Sequence, residues 1–444
     1  MLHPHLWPIT AAIGATGHLE IGGCDALELA REHGTPLYVL DEATIRAACR
    51  SYRAALARHY AGPSAAHYAS KALLNTALAR IIAEEGLGLD VVSGGELFVA
   101  LRAGFPPERI HLHGNAKPRA ELEEALAAGV GQIVVDNLDE LRLLAELTRG
   151  AQPRPGGSAI ALRLTPDIAP DTHAHIQTGH AASKFGLPLD ALDAAAELIR
   201  SAPGLRLRGL HAHLGSQVFD YGPLARAVEV LLDCAARLRE RHGIVVDEIS
   251  PGGGLATPYT PDQPLPDVDA YIAAVAGALA SGCAARGLPL PKLTLEPGRS
   301  IVARAGVALY TVVATKPLPR LDGARPEPAR YLHIDGGMGD NIRPALYGAR
   351  YTAVLAGRPA APAEELVHIA GRYCESGDIL LRDLALPRAE LGEVLAVAVA
   401  GAYTLSMAST YNLVPRPALL LVAGGRAQVV QRRETYADLV LRDV

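Results

Sequence analysis

The sequence predicts an α/β protein in which residues 41–300 form a (β/α)₈ barrel and residues 301–444, together with 1–40, form a β-rich domain. Three observations support this prediction. Short apolar runs alternate with amphipathic helical segments about eight times between 41 and 300. After residue 300 this alternation gives way to strand-like runs separated by Pro and Gly. The segment 1–40 contains short strand-like runs around one helix-like run, so it can pack with the later strands. An open doubly wound sheet is the alternative for the same repeats.

The barrel strands are expected at eight short apolar runs, most of which end in polar or glycine residues. These runs lie at 65–70, 88–92, 110–113, 132–135, 159–164, 208–213, 246–250 and 293–296. Two of the helices between them also carry end signals. Pro118 suits the first turn and Gly129 the C-cap of a helix over 118–129, and Asn137 suits the N-cap of a helix over 137–149.

The strands of the β domain are expected at five runs after residue 300. They are IVARAGVALYTVVATK, RYLHIDGG, ELVHIAG, VLAVAVAGAY and ALLLVAGG. The Pro-rich stretch 317–328 indicates a loop within this domain, because strand-like runs resume on both sides of it.

Composition narrows the class of partner. A net charge of -5 and a pI near 6.4 provide no basic surface for nucleic acid or an anionic membrane. The N-terminus lacks a signal-peptide pattern, and no stretch approaches the ~20 apolar residues of a membrane span. The five cysteines (Cys24, Cys49, Cys234, Cys283 and Cys374) show neither metal-site spacing nor a disulfide framework. We therefore expect a cytoplasmic protein with small-molecule partners.

Lys71 is the first candidate functional residue, because the run His67–Lys71 indicates a buried strand that ends on a primary amine. A desolvated lysine has a lowered pKa, and a neutral amine attacks aldehydes. The alternative is an ordinary surface lysine at a strand end. Gly252, Gly253 and Gly254 could bind an anion through backbone N–H groups, with Ser216 adding a hydroxyl. A plain turn is the better explanation of three glycines alone, but together with Lys71 they indicate an aldehyde that carries a phosphate.

Two HxH pairs, His111/His113 and His211/His213, suggest a second class of function. Alternate residues of a strand share a face, and such pairs bind metals in barrel hydrolases. A metal-dependent hydrolase is therefore the outside alternative. In those hydrolases the pair comes from the first strand, whereas both pairs here come later, so we expect no metal.

Ten segments carry a resemblance to a known family. They are HYASK (67–71), GLDVVSGGEL (88–97), HGNAK (113–117), DTHAHIQTGHAASKFGL (171–187), HAHLGSQ (211–217), SPGGG (250–254), EPGRSIV (296–302), NIRPALYGARY (341–351), GRYCESGD (371–378) and GAYTLSMASTYN (401–412). In these segments the chain resembles the group IV pyridoxal-phosphate decarboxylases of the alanine-racemase-like fold (fold type III), and among them the diaminopimelate decarboxylases most closely.

The resemblance implies pyridoxal 5'-phosphate as cofactor and assigns its binding residues. Lys71 would hold the cofactor covalently, and His213 would stack on its ring. Glu296 would pair with the pyridine nitrogen and keep it protonated, which favours loss of carbon dioxide. The remaining cofactor-binding residues would be Asp90, Ser216, Gly252, Gly253, Gly254 and Tyr403, with Ser216, the three glycines and Tyr403 on the phosphate.

The resemblance also implies the substrate site. Arg299, Arg343 and Tyr347 would bind a distal carboxylate, since guanidinium groups grip carboxylates in bidentate fashion. Glu375 would accept from a distal ammonium, Tyr403 would also contact the substrate, and Cys374 would donate a proton to the substrate carbon. In the family Cys374 and Glu375 reach the site from a partner subunit, which implies a homodimer with shared active sites.

The reaction so implied is decarboxylation of meso-2,6-diaminopimelate to L-lysine and carbon dioxide, the last step of lysine biosynthesis. A decarboxylase of the same fold acting on ornithine, arginine or a carboxylated polyamine is the nearest alternative, and a non-catalytic cofactor-binding relative is another. Ser70 and Thr410 depart from the family pattern, at positions to which no chemistry is assigned.

Overall fold

The computed structural model describes residues 2–149, 157–168, 183–319 and 328–444. By its internal contacts the chain divides into two compact units. The barrel unit comprises Cys49–Ala256 and Pro266–Gly298, and the β unit comprises Met1–Ala48, Thr257–Leu265 and Arg299–Val444. Nothing in the sequence pattern singles out Thr257–Leu265 as part of the β unit.

The first elements of the chain precede the barrel. They are β1 (Ala12–Ile13), β2 (Leu19–Ile21), β3 (Cys24–Asp25), α1 (Ala26–His33), β4 (Leu37–Asp41) and α2 (Glu42–His59). The strands β1, β2 and β3 form a small antiparallel sheet. Helix α1 begins where the Asp25 side chain accepts a hydrogen bond from the Leu27 N–H at 2.8 Å, so its first turn is capped.

Eight strands close into a barrel. They are β5 (Ser64–Ala69), β6 (Gly88–Val91), β7 (Ile110–Leu112), β8 (Gln132–Val135), β9 (Ser158–Arg163), β10 (Leu205–His211), β11 (Glu248–Ser250) and β12 (Lys292–Leu295). All neighbouring strands are parallel, and β12 pairs with β5 to close the ring. The predicted (β/α)₈ barrel is therefore confirmed, and the open sheet is wrong. All eight apolar runs became strands, with β10 beginning three residues earlier than expected.

Helices follow the strands around the barrel. They are α3 (Thr76–Glu84), α4 (Gly94–Arg102), α5 (Arg119–Ala128), α6 (Leu138–Arg149), α7 (Leu192–Arg200), α8 (Gly222–His242) and α9 (Val268–Ala285). The two helices with end signals form as predicted. Pro118 precedes α5, Gly129 ends it with a φ of 78°, and the Asn137 side chain accepts from the Glu140 N–H at 2.9 Å at the start of α6.

A buried ion pair fixes the loop after β7. The Lys117 ammonium donates to Glu140 Oε1 at 2.7 Å and to the carbonyl oxygens of Gly114 and Val134 at 2.6 and 2.8 Å. Burial lowers the pKa of Lys117 and raises that of Glu140, and each partner's charge opposes that effect. Lys117 therefore has a structural role in the barrel, since these three contacts are all with barrel residues.

Helix α9 differs from one expectation. It is 18 residues long and, by length and composition alone, apolar enough to cross a membrane, whereas no such stretch is expected from the sequence. The helix packs against α8 in the outer layer of the barrel and buries Tyr271, Val275 and Leu279. A helix packed on a barrel core can satisfy the same criterion as a membrane span, because both bury apolar side chains.

The β unit is built around one large sheet. Its later elements are α10 (Arg299–Val302), β13 (Gly306–Pro317), β14 (Arg330–Ile334), α11 (Arg343–Tyr347), β15 (Ala353–Leu355), β16 (Glu365–Ala370), β17 (Ile379–Leu386), β18 (Val394–Val397), β19 (Ala418–Ala423), β20 (Arg426–Gln431) and α12 (Tyr436–Leu439). The main order is β17-β16-β14-β13-β4-β19-β20, and β18 pairs with both β13 and β15. The predicted β domain is confirmed, and β4 joins it by pairing with β13 and β19.

The first predicted strand of the β domain begins later than expected. Ile301 and Val302 were expected to open it but lie in α10, where the Ala303 N–H donates to the Arg299 carbonyl oxygen at 2.9 Å. The strand therefore starts only at Gly306. Residues 320–327 of the expected Pro-rich loop lie outside the described residues.

Candidate active site

Lys71 lies just beyond the end of β5, in a short 3₁₀ turn over Ser70–Ala72. The Ser70 hydroxyl anchors this turn, because it lies 2.6 Å from both the Asp90 carbonyl oxygen and Glu96 Oε2. The Lys71 side chain is exposed. The expectation that the amine is desolvated at the end of a buried strand is therefore wrong: the strand ends at Ala69, and the turn carries the lysine out of it.

His213 is the imidazole associated with this amine. Burial lowers its pKa well below the ordinary value, and the positive charges of Lys71 and Arg163 lower it further. Its Nδ1 accepts a hydrogen bond from the Gly253 N–H at 3.4 Å. The ring is therefore neutral, with Nδ1 free of a proton, and it lies close enough to Lys71 to feel the charge of the ammonium.

The three glycines after β11 are required by close backbone contacts. A Cβ on Gly252 would lie 2.7 Å from the Ala212 carbonyl oxygen, and Cβ atoms on Gly253 and Gly254 would collide with the carbonyl oxygens of Glu296 and Gly215. Gly252 and Gly254 also have positive φ angles of 80° and 104°. The loop that carries Ser216 therefore packs directly against Gly254.

The N–H of Gly254 is available for a ligand. Within the part of the chain that the structure describes, it donates to no acceptor, whereas the Gly252 N–H donates to the Ser250 hydroxyl at 3.1 Å. A backbone N–H that points at no protein acceptor can bind an anion such as phosphate.

Glu296 directly follows β12. Nε2 of His211 lies 3.0 Å from its Oε2, and the Ser250 hydroxyl donates to its Oε1 at 2.7 Å. Burial acts to raise the pKa of this carboxyl, but His211 and His113 outweigh burial and the net pKa is lowered. Glu296 is therefore an ionised carboxylate held in one orientation.

Asp90 lies among imidazoles near the end of β6. Its Oδ1 is 3.4 Å from His67 Nδ1 and 3.5 Å from His113 Nε2. Burial acts to raise its pKa, but these two histidines outweigh it and lower it strongly. Neither carboxylate oxygen makes a hydrogen bond to the described residues, so Asp90 is a buried anion compensated mainly by imidazoles.

The two HxH pairs are divided between different groups. The donor atoms of His67, Asp90 and His111 lie within 4.8 Å of one another, and so do those of His113, His211 and Glu296. The rings of His67 and His111 are also close, with centroids 3.8 Å apart and planes tilted by 32°. The alternative in which both histidines of one HxH pair bind the same metal is therefore not what the barrel arranges among the described residues.

The β unit contains a second group of candidate residues, here called the arginine–tyrosine cluster. It consists of Tyr259, Arg299, Arg343 and Tyr351, all of them buried. Arg299 donates to the Tyr259 hydroxyl at 2.7 Å, and Arg343 donates to the Tyr351 hydroxyl at 2.5 Å. The Arg343 guanidinium also lies 4.5 Å from the centre of the Tyr259 ring. No carboxylate among the described residues forms an ion pair with Arg343, whose charge lies instead against Tyr351 and Tyr259.

Tyr403 and Tyr347 relate differently to this cluster. Tyr403 is half-buried, has a φ of 58°, and lies with its ring 4.6 Å from the Arg299 guanidinium. Tyr347 ends α11 and is also half-buried, but among the described contacts it makes no hydrogen bond to Arg299 or Arg343. The structure thus brings Tyr403 to the cluster and leaves Tyr347 without such a bond.

Cys374 and Glu375 lie in the turn between β16 and β17, and both are exposed. The Cys374 N–H donates to the Asn412 side chain at 2.9 Å, and the Glu375 N–H donates to the Tyr373 carbonyl oxygen at 2.8 Å. The thiol and the carboxylate are therefore carried on a fixed backbone and remain accessible. Residues 171–182 of the segment DTHAHIQTGHAASKFGL lie outside the described residues.

Four residues of the two groups received no cofactor or substrate role from the sequence: His211, which was considered only as a metal ligand, and Ser250, Tyr259 and Tyr351. His211 and Ser250 are the last residues of β10 and β11, so the strand-end criterion that selected Lys71 could have found them as partners of Glu296. Tyr259 carried no comparable signal, because its contacts with Arg299 and Arg343 join distant parts of the chain. Tyr351 lies only eight residues after Arg343 and ends the segment NIRPALYGARY, so it could have been considered with that arginine.

The barrel residues fit the chemistry of pyridoxal phosphate. An amine suits the aldehyde, an ionised carboxylate suits the pyridinium, a neutral imidazole suits the ring face, and the unpaired Gly254 N–H suits the phosphate. This agreement depends only on the chemical character of Lys71, Glu296, His213 and Gly254.

Comparison with known proteins agrees with this fit. Residues 42–303 match the family described as pyridoxal-dependent decarboxylase, pyridoxal binding domain. Diaminopimelate decarboxylase of Synechocystis is 43% identical, over 99% of this chain and 93% of the relative, and that of Bacillus subtilis is 44% identical, over 96% and 95%. The crystal structure of diaminopimelate decarboxylase from M. jannaschii in complex with L-lysine superposes with a TM-score of 0.89 at 34% identity, over 98% of each chain.

A closed parallel barrel and a β unit, with a lysine in the turn after β5 and a family match over more than half of the chain, define the class of pyridoxal-dependent decarboxylases. Within this class the chain belongs to the diaminopimelate decarboxylase family.

Proposed function

We propose that this protein uses pyridoxal 5'-phosphate to decarboxylate meso-2,6-diaminopimelate, giving L-lysine and carbon dioxide. The observation that carries the substrate assignment is the arginine–tyrosine cluster, in which two guanidinium groups are buried and Arg343 has no carboxylate partner among the described residues. A buried guanidinium of this kind is costly unless a ligand anion pairs with it. Diaminopimelate supplies such an anion in its second carboxylate.

The barrel residues would hold the cofactor at one end of the barrel. When bound, pyridoxal phosphate supplies an electron sink for the charge left on the substrate carbon as carbon dioxide departs. Lys71 would bind the aldehyde carbon, Gly254 and Ser216 would bind the phosphate, and the neutral His213 would lie on the ring. Glu296, held by His211 and Ser250, would keep a proton on the pyridine nitrogen.

Asp90 supports the site electrostatically in this proposal. Its charge and that of Glu296 both act on His113, whose Nε2 lies 3.5 Å from Asp90 and 3.9 Å from Glu296. Asp90 would contribute to cofactor binding, and its charge would also act on the site through this histidine.

Arg299 and Arg343 would bind the distal carboxylate, with Tyr347 and Tyr403 at the edge of that site. Only Pro297 and Gly298 separate Glu296 from Arg299 along the chain. Glu375 would accept a hydrogen bond from the distal ammonium, and Cys374 would return a proton to the substrate carbon. Both are exposed in a single chain.

Substrate competition tests the proposed function. We expect the protein to release carbon dioxide from meso-diaminopimelate, and to use lysine, ornithine and arginine at least about 30-fold less efficiently by kcat/KM, because each leaves the two guanidinium groups without a distal carboxylate. Faster turnover of ornithine or arginine would favour the alternative decarboxylase. Colourless protein that loses activity with chelators would favour the metal-dependent hydrolase, which the family assignment does not support.

We further propose a homodimer in which Cys374 and Glu375 complete the barrel site of the partner subunit, so that residues 41–300 bind the cofactor and 1–40 with 301–444 complete the site. Mixing inactive Lys71→Ala and Glu375→Ala chains then creates one intact site in each mixed dimer. Random exchange should restore about a quarter of wild-type activity. If each site used the turn of its own chain, mixing would restore none.

The five free cysteines are compatible with our proposal that the dimer acts in the cytoplasm.

A further inference from the structure

Tyr259 occupies the centre of the arginine–tyrosine cluster. Its hydroxyl accepts a hydrogen bond from Arg299 at 2.7 Å, and its ring lies 4.5 Å from the Arg343 guanidinium. The Tyr351 ring packs edge-on against it, with centroids 5.1 Å apart at 83°. A single side chain therefore contacts both guanidinium groups, one through its oxygen and the other through its ring.

The backbone of Tyr259 is fixed on both sides. Its N–H donates to Gln263 Oε1 at 2.7 Å, and its carbonyl oxygen accepts from the Thr352 hydroxyl at 3.1 Å. The side chain is buried as well. The backbone is therefore held in place, and moving the buried phenol would break its hydrogen bond with Arg299 and its contact with Arg343.

The two guanidinium groups near Tyr259 change the pKa of its hydroxyl. Burial acts to raise the pKa of its hydroxyl, but Arg299 and Arg343 outweigh burial and lower it. Both guanidinium groups therefore favour negative charge on the phenol oxygen. Arg343 has a second anchor in Tyr351, whose hydroxyl also lies 3.4 Å from the Asn341 side chain.

We propose that Tyr259 is a specificity-determining positioning residue for the distal carboxylate, because its hydroxyl and ring hold Arg299 and Arg343 in the arrangement that receives this group. The inference rests on the proposed function, since it assigns the cluster to the substrate. It adds a residue that contacts both arginines and that lies outside every segment on which the family resemblance rests.

Two small amines distinguish this role from a general structural one. L-Lysine, the product, retains the distal carboxylate, whereas 1,5-diaminopentane has the same chain and both amines without it. Inhibition constants of both compounds would be measured on the cofactor-loaded enzyme for the wild type, Tyr259→Phe and Tyr259→Leu. The ratio of the two constants isolates the contribution of the carboxylate.

We expect Tyr259→Phe to weaken L-lysine binding about tenfold and to change diaminopentane binding less than about twofold, because a hydrogen bond to a charged group is lost. KM for diaminopimelate should rise by a similar factor while kcat changes little. Tyr259→Leu also removes the ring beneath Arg343 and should have a larger effect of the same kind. Tyr271→Phe is the matched control: it removes a buried hydroxyl that has no hydrogen-bond partner among the described residues.

Equal weakening of both amines in Tyr259→Phe would overturn the proposal, since it would show a general effect on the fold. An unchanged affinity for L-lysine would overturn it as well. Failure of the proposed function looks different, because the wild type itself would then not decarboxylate diaminopimelate or would bind the two amines equally. Equal binding of the two amines by the wild type would contradict both the distal carboxylate site and the role of Tyr259.

Discussion

Replacing Lys71 by alanine is expected to abolish carbon dioxide release and to give a protein that no longer holds its cofactor covalently. The expected loss in kcat is on the order of 10³-fold or more, because the side chain supplies the nucleophile for the cofactor aldehyde. The fold should survive. Lys71 is exposed, lies in a turn that Ser70 anchors, and forms no hydrogen bond or ion pair with the described residues that alanine would leave unsatisfied.

Covalent labelling identifies the lysine independently of activity. Borohydride fixes the cofactor to the amine that holds it, and peptide mapping then locates the label among only five lysines, Lys71, Lys117, Lys184, Lys292 and Lys316. Lys316 is the matched control, since it is also exposed. We expect Lys316→Ala to keep the label and Lys71→Ala to lose it. A label on any other lysine would contradict the assignment.

Two of the other lysines are already engaged within the barrel. Lys117 is buried against Glu140, and the Lys292 ammonium lies 3.3 Å from Glu248. Both would have to break an internal contact to reach an aldehyde. Lys71 needs no such rearrangement, and its charge already acts on His213.

The barrel was predictable because its signals are local. Each strand is a short apolar run, and the positions of Pro118, Gly129 and Asn137 mark helix ends by backbone chemistry that acts over a few residues. Parallel strands place their carboxyl ends on one face of the barrel. The residues at predicted strand ends therefore group Lys71, His213 and Glu296 from the sequence alone.

The remaining features depend on contacts between distant residues. Tyr259 lies in the stretch LATPYTPDQPLP, which has no motif, and only the fold brings it to Arg299 and Arg343. The exposure of Lys71 depends on where β5 stops, and strand ends are the least certain part of a sequence-based prediction. The position of Asp90 between His67 and His113 likewise joins three strands, which spacing alone does not encode.

Replacing Glu296 by glutamine is expected to lower kcat by about 10²- to 10³-fold while cofactor binding and fold are retained. Glutamine keeps the shape of the side chain and can still accept from the Ser250 hydroxyl, but it removes the negative charge. A neutral amide cannot hold a proton on the pyridine nitrogen, so the substrate carbon loses its electron sink. The pKa of Glu296 is lowered by His211 and His113 against the effect of burial, so wild-type protein keeps the charge throughout the neutral range. The loss should therefore be similar at about pH 6 and about pH 8.

Glu248→Gln provides the matched control for this charge. Glu248 is also a buried barrel carboxylate, and it pairs with Lys292. Both residues begin their strands, so they lie at the amino ends of the strands, whereas barrel chemistry is built at the carboxyl ends. We expect Glu248→Gln to reduce the melting temperature and to leave kcat and the absorbance of the bound cofactor nearly unchanged. Glu296→Gln should show the reverse, with a changed absorbance and a nearly unchanged melting temperature. If the two variants behaved alike, Glu296 would matter for the stability of the barrel alone, and the carboxylate that His211 and Ser250 orient would have no part in the reaction.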